Sequence, residues 1–121
     1  MTIIDVNDIL NHKIKKDKDY SNGGFYLIEN KITKKYYIGK SINYLSRLKS
    51  HLFKSSNTLL IDKELNTYSL NCFNFYLLLS YKELDINFFN RKLETITENK
   101  LIREYKTYIP YGYNIKYYGH F

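Results

Sequence analysis

Glu98 sits on an apolar stripe: helical spacing groups it with Leu101, Ile102 and Tyr105 at i+3, i+4 and i+7. A lone carboxylate on an apolar face is costly unless something pairs with it. Neither Lys100 nor Arg103 stands at i+3 or i+4 to do so. Far upstream, Tyr26 and Tyr37 fall on two short apolar runs joined by a polar, lysine-rich connector in "GFYLIENKITKKYYIGKS". Tyrosines suit strands, so packing is one account of them. The other is chemical, because a phenol can carry protons even though its free pKa of about 10 makes it a poor base unaided. Arg47, His51 and Lys54 recur at i, i+4 and i+7 on one helical face. An arginine there is ordinarily a solvated charge, but it can also fork two hydrogen bonds onto an anion.

The elements that must position these residues are readable in outline. Two strands are expected at about 24–29 and 34–39, where Phe, Tyr, Ile and Leu dominate. With "NKIT" as the loop, Glu29 pairs with Lys34, Leu27 with Tyr36 and Tyr26 with Tyr37, opposed Cβ atoms standing about 4.5–5.5 Å apart. Any even loop keeps Tyr26 and Tyr37 on one face and sends Tyr36 to the other, where it packs. A helix over about 43–54 buries Leu45, Leu48 and Leu52, with Arg47, His51 and Lys54 opposite. Another, over 58–67, buries Leu59, Leu60 and Leu65, and "CFNFYLLLSY" reads as a third, largely buried strand. From Asp85, a helix N-cap, the chain is helical to about Thr107, its stripe moving from Ile86, Phe89, Leu93 and Ile96 to Leu101, Ile102, Tyr105 and Ile109. Near the N-terminus, residues 5–14 form a short helix capped by Asp5 or Asn7, with Val6, Leu10 and Ile14 inward, and "KIKKDKDYSNGG" is a connector.

Length and charge bound what such a site can serve. The 121 residues suffice for one modest core. The 19 Lys+Arg against 12 Asp+Glu leave +7, which points to a polyanionic partner, nucleic acid before anionic membrane. The single cysteine, Cys72, excludes an internal disulfide framework and a multi-cysteine zinc site. It lies in an apolar run and suits a small buried residue in a reducing, intracellular compartment. "MTIIDVNDIL" lacks the basic region and apolar segment of a secretory signal, and its acids argue against a transit peptide. No run is long enough to cross a bilayer, so no membrane partner is expected.

"GFY" at 24–26 and "YIG" at 37–39, followed by Arg47, His51, Glu98 and Asn114, resemble the GIY-YIG nuclease domain. The match runs from Gly24 to about Ile115, and "YIGKSINYLSRLKSHL", "ENKLIREY" and "GYNI" add to it by order and distance. Phe25 in place of isoleucine is an apolar swap that spares the chemistry. The resemblance implies an α+β fold, a three-stranded antiparallel sheet flanked by helices. Residues 1–23 are then a short helical extension and connector, and 24–121 the nuclease-like domain. It also implies metal-dependent hydrolysis of DNA phosphodiesters.

On that resemblance Glu98 is the protein ligand of Mg²⁺ or Mn²⁺, an ion that keeps several waters and takes few carboxylates. Arg47 stabilises charge on the phosphoryl oxygens. Either motif tyrosine serves as general base in the family; Tyr37 is taken as the base and Tyr26 as holding the water or phosphate. Lys40 supplies the positive charge that lowers the phenol's pKa, and His51 bonds a phosphate or a tyrosine hydroxyl. Gly39, Lys54 and Asn114 fall on the substrate side: Gly39 leaves room for a phosphate, and Asn114 ties the turn "PYGYNI" to the site. The ending "GYNI" and the richness in Lys, Asn, Ile and Tyr favour a homing or mobile-element enzyme over a structure-selective repair or recombination nuclease. A non-catalytic nucleic-acid binding module would use charge and stacking but needs no buried acid. A basic structural protein would explain the charge and not the order of motifs. The partners are DNA and either a second copy of the chain or a separate targeting protein.

Overall fold

A computed structural model describes residues 2–11, 23–53, 59–82 and 91–115. In chain order the elements are strand β1 (Thr2–Ile4), helix α1 (Val6–Asn11), strands β2 (Gly24–Asn30) and β3 (Lys35–Ser41), helices α2 (Tyr44–Leu52) and α3 (Leu59–Thr67), a 3₁₀ turn (Leu70–Cys72), strand β4 (Phe73–Ser80) and helix α4 (Arg91–Tyr105). All pairings are antiparallel, and the sheet runs β1-β4-β2-β3. The sheet thus has four strands rather than three. β1 escapes a sequence reading because three residues are too few to show alternation; its Ile4 is buried and pairs with Phe75 of β4. Asp5 then caps α1, its carboxylate accepting from the Asn7 amide at 2.7 Å. Ile9, rather than the expected Leu10, turns into the core, and Ile14 lies outside the described residues.

Alternation in β2 and β3 divides the side chains between two apolar layers. Tyr26, Ile28 and Tyr37 face one side, packed with Ile9, Tyr44, Leu45, Leu48, Ile61 and Leu65 of α1, α2 and α3. Phe25, Leu27 and Ile38 face the other, packed with Leu78, Tyr81 and the α4 residues Leu101 and Ile102. Tyr36 joins this second layer, as the parity argument requires. Leu45 and Leu48 are wholly buried, each contributing roughly 1.5–3 kcal/mol by area. Asn43 starts α2 in extended conformation, its side chain accepting from the Ser46 amide at 3.1 Å.

The hairpin register differs from the expected one by a step on each strand. Asn30 pairs with Lys35, Ile28 with Tyr37 and Tyr26 with Gly39. Asn30 causes the shift. Its buried carboxamide accepts from the amides of Ile32 at 2.9 Å and Thr33 at 3.3 Å, so it ends the strand instead of joining the loop. Lys34 takes the left-handed conformation (φ 61°) that closes the turn. The loop still has four residues, so Tyr26 and Tyr37 share a face, but diagonally.

α4 ends in a Schellman motif with Lys106 left-handed (φ 53°). The Thr107 amide donates to Ile102 at 3.0 Å and that of Lys106 to Arg103 at 3.2 Å. Leu101 and Ile102 are buried, while Leu93 (45% exposed) and Ile96 (54%) face solvent, so these two members of the expected stripe do not pack. The Asp85 cap, Ile86 and Phe89 lie outside the described residues. Beyond α4 the chain returns to β3, where the Tyr113 amide donates to the Tyr36 carbonyl at 3.0 Å.

Candidate active site

Two glycines let the tyrosines settle. A Cβ at Gly39 would strike the Tyr26 ring and hydroxyl, so this cross-strand partner of Tyr26 must lack a side chain. The room expected for a phosphate above Gly39 is filled by the Tyr26 ring. Gly24, at φ +150°, admits the Tyr44 hydroxyl, which donates to the Leu79 carbonyl at 2.9 Å and fixes the first turn of α2 on the sheet. That carbonyl lies beside an irregularity where Phe25 pairs with Leu79 and Tyr26 with Leu77.

Tyr26 is wholly buried, and its hydroxyl is the centre of a polar cluster. His51 Nε2 lies 2.7 Å from it. Arg47, one turn earlier on α2, and Tyr37 also hydrogen-bond this hydroxyl. The rings of Tyr26 and Tyr37 stand 6.3 Å apart, and His51 stacks edgewise on both at 5.7 and 5.4 Å. Burial raises the Tyr26 pKa well above the ordinary phenol range, and Arg47 opposes the rise. Tyr26 is therefore a neutral phenol at rest. The geometry differs from the expectation that Tyr26 holds a water or phosphate.

His51 is wholly buried rather than part of a solvated basic face. Its Nδ1 stands 3.0 Å from Asp62 Oδ1 of α3. Burial lowers its pKa to about 4, with Asp62 opposing the shift and Arg47 adding to it. His51 is thus uncharged at neutral pH.

Glu98 reaches the sheet from the opposite side. Its carboxylate lies 3.6 Å from Lys40 Nζ, and Glu94, one turn earlier on α4, lies 3.2 Å from the same ammonium. Lys40 is the partner that the apolar stripe demanded for Glu98, so it serves these acids rather than the phenols expected of it. The cation beside Tyr26 is Arg47. Burial raises the Glu98 pKa, Lys40 opposes this and Glu94 adds to it. Tyr81 hydrogen-bonds Glu94, and its own pKa is raised by burial and by both acids. Lys40 and Gly39 are adjacent on β3, so the phenol cluster and the acid pair flank one strand at the sheet edge, successive residues rising about 3.3 Å.

Asn114 is buried and holds that strand: it accepts from the Ile38 amide at 2.9 Å and donates to the Ile38 carbonyl at 2.8 Å. Its contacts are architectural. Lys54 lies outside the described residues. Asp62 and Glu94 are the residues that sequence reasoning missed. Asp62 looks like an ordinary charge on a short amphipathic helix, whereas Glu94 had a signal in its i, i+4 relation to Glu98, like charges sharing one helical face.

The chain matches the family model of the GIY-YIG catalytic domain over residues 22–114. Among solved structures it is similar to a mutant of the catalytic domain of intron endonuclease I-TevI, with 23% identity, a TM-score of 0.64, and 82% of this chain and 98% of that one covered. It is also similar to the catalytic domain of homing endonuclease I-TevI, with 25% identity, a TM-score of 0.62, and 78% and 99% covered. No curated protein matches it.

Proposed function

The chain belongs to the GIY-YIG family of endonuclease domains, and we propose that within it this protein is a metal-dependent DNA endonuclease of homing or mobile-element type. The observation that carries this reading is the union of buried Tyr26, Tyr37 and His51 with half-buried Arg47 in one cluster, with Glu98 brought to the same strand edge. The likeness to the I-TevI domains, described as those of an intron and homing endonuclease, supports the subclass.

Hydrolysing a phosphodiester takes an activated water, charge relief on the phosphoryl oxygens and a stabilised leaving oxygen. Tyr37, at the less enclosed end of the phenol pair, is the residue that takes the water's proton. Arg47 is the guanidinium beside Tyr26, and its planar fork suits hydrogen bonds to phosphate oxygens. Among the described residues Glu98 and Glu94 are both paired with Lys40, two carboxyl groups to one ammonium, which fits a divalent cation. Among the described residues no three His, Cys, Asp or Glu side chains are grouped to hold an ion. Mg²⁺ or Mn²⁺ held through Glu98 would therefore keep most of its waters, as Mg²⁺ commonly does. Such an ion supplies Lewis acidity at the scissile phosphate and at the leaving oxygen.

Incubation of the purified chain with supercoiled, nicked and branched DNA, with and without Mg²⁺ and chelator, tests the reading. Mg²⁺-dependent cutting of duplex DNA with little sequence preference is expected, because phosphate contacts carry little sequence information. Preference for branched DNA would move the protein to the repair subclass. Binding without cutting would make it a nucleic-acid binding module.

A further inference from the structure

His51 lies between two groups that together dictate where its proton sits. Asp62 Oδ1 stands 3.0 Å from Nδ1, and the Tyr26 hydroxyl stands 2.7 Å from Nε2. His51 is wholly buried and Asp62 nearly so. A carboxylate offers lone pairs only, so Nδ1 must carry the hydrogen that meets it. Nε2 is then a bare acceptor, and the Tyr26 O–H donates to it. Arg47 has no lone pair and can only donate to the Tyr26 oxygen. Tyr26 has spent its one hydrogen on His51, so in the Tyr26–Tyr37 bond the donor is Tyr37. One orientation of every proton follows from a single carboxylate.

We propose that Asp62 is a positioning residue of the cleavage reaction, its carboxylate fixing His51 as the Nδ1–H form so that Nε2 terminates a Tyr37–Tyr26–His51 proton path. The inference rests on the nuclease reading above. As the attacking water gives its proton to the Tyr37 oxygen, the Tyr37 proton passes to Tyr26 and the Tyr26 proton to Nε2. Each phenol gives one proton and gains one, and both stay neutral. The products are hydroxide, which forms the new P–O bond, and an imidazolium paired with Asp62. The P–O bond to the leaving oxygen breaks with its electron pair, that oxygen takes a proton from solvent, and the imidazolium later returns its own along the same path. The path removes a difficulty of the site, since burial makes a free Tyr26 phenolate unfavourable. The groups facing His51 are Tyr26 from β2, Tyr37 from β3, Arg47 from its own helix and Asp62 from α3. Burial and Arg47 both disfavour an imidazolium, and Asp62 opposes them in part.

Two measurements on the full chain test this. Ring ¹⁵N NMR of the wild type should show His51 protonated at Nδ1 and bare at Nε2; the opposite tautomer overturns the inference and needs no variant. Asp62→Asn can donate to Nδ1 and so push the proton to Nε2, as in other Asp–His pairs. Its kcat on plasmid DNA with Mg²⁺ should fall roughly 10²–10⁴-fold with KM little changed. The deficit should narrow at high pH, where hydroxide makes a general base less necessary, and Asp62→Glu should recover part of the rate. Wild-type cutting with Asp62→Asn equal to it in kcat and pH profile overturns this inference alone. No cutting by the wild type overturns the nuclease reading and this inference with it. If Asp62→Asn fails to fold, the wild-type tautomer decides.

Discussion

The Tyr26 ring lies across Gly39, its cross-strand partner, closely enough that a methyl group on Gly39 would overlap the phenol. Gly39→Ala therefore either displaces Tyr26 from His51 and Arg47 or bends the edge strand. We expect a loss of about 1–3 kcal/mol, the usual effect of overpacking, together with a fall in cleavage that survives correction for folding. Urea denaturation and single-turnover cleavage check the two parts separately. Wild-type activity in Gly39→Ala would mean that the Tyr26 position is immaterial.

The three tyrosines should separate by hydroxyl loss. Tyr37→Phe is expected to slow cleavage by about 10²–10⁴ for lost proton transfer. Tyr26→Phe should do the same and also destabilise by about 1–3 kcal/mol, because it strips a buried acceptor on His51 of its donor. Tyr36→Phe is the control, since Tyr36 packs with the α4 layer. Were it the most damaging of the three, the placement of the site would be wrong.

Glu98→Gln should abolish cleavage and, without divalent ions, raise the melting temperature. The carboxylate is destabilised by burial and by Glu94, as its raised pKa records. A carboxyl with a raised pKa releases its proton later in the fold than in the unfolded chain, so its stabilising effect fades as pH rises through that window. The neutral amide removes the penalty at pH 7. Melting curves with and without Mg²⁺ check this: the wild type should gain stability from the ion and the variant should not.

Arg47→Ala is expected to reduce the rate by roughly 10²–10³, the size typical of one electrostatic donor in the transition state. A fall of only a few-fold in a folded variant would return Arg47 to structural duty beside Tyr26.

Stability should also decline in acid through His51. Its pKa is about 4 in the fold against about 6.5 in an unfolded chain. The unfolded chain binds the proton first, so stability is full above about pH 6.5 and is lost as pH falls toward 4. The loss attributable to this group is on the order of 3 kcal/mol. Denaturation across that range compared with His51→Gln, which cannot titrate, isolates it. An unchanged profile would refute the buried neutral imidazole.

The sequence carried the hairpin, α2, β4 and the motif residues, because alternation, capping and leucine spacing are local signals. It missed the register by one step on each strand because Asn30 reads as a loop residue until its carboxamide is seen folding back on the turn. It missed β1 because a three-residue strand has no pattern of its own. Nothing local shows that α4 packs against the face opposite the tyrosines and delivers Glu98 to Lys40. Asp62 became visible only when α3 folded against α2, a contact that no spacing within either helix encodes.

The hold of Asn114 and Tyr113 on β3 bears on solubility. β3 is the last strand of the sheet, and a bare outer strand is a template for pairing with another molecule. The Tyr113 amide and the Asn114 carboxamide occupy Tyr36 and Ile38 in its middle, standing in for a neighbouring strand. A chain truncated before residue 113 would bare those groups. It should aggregate edge to edge, even though almost all of its core would remain in place.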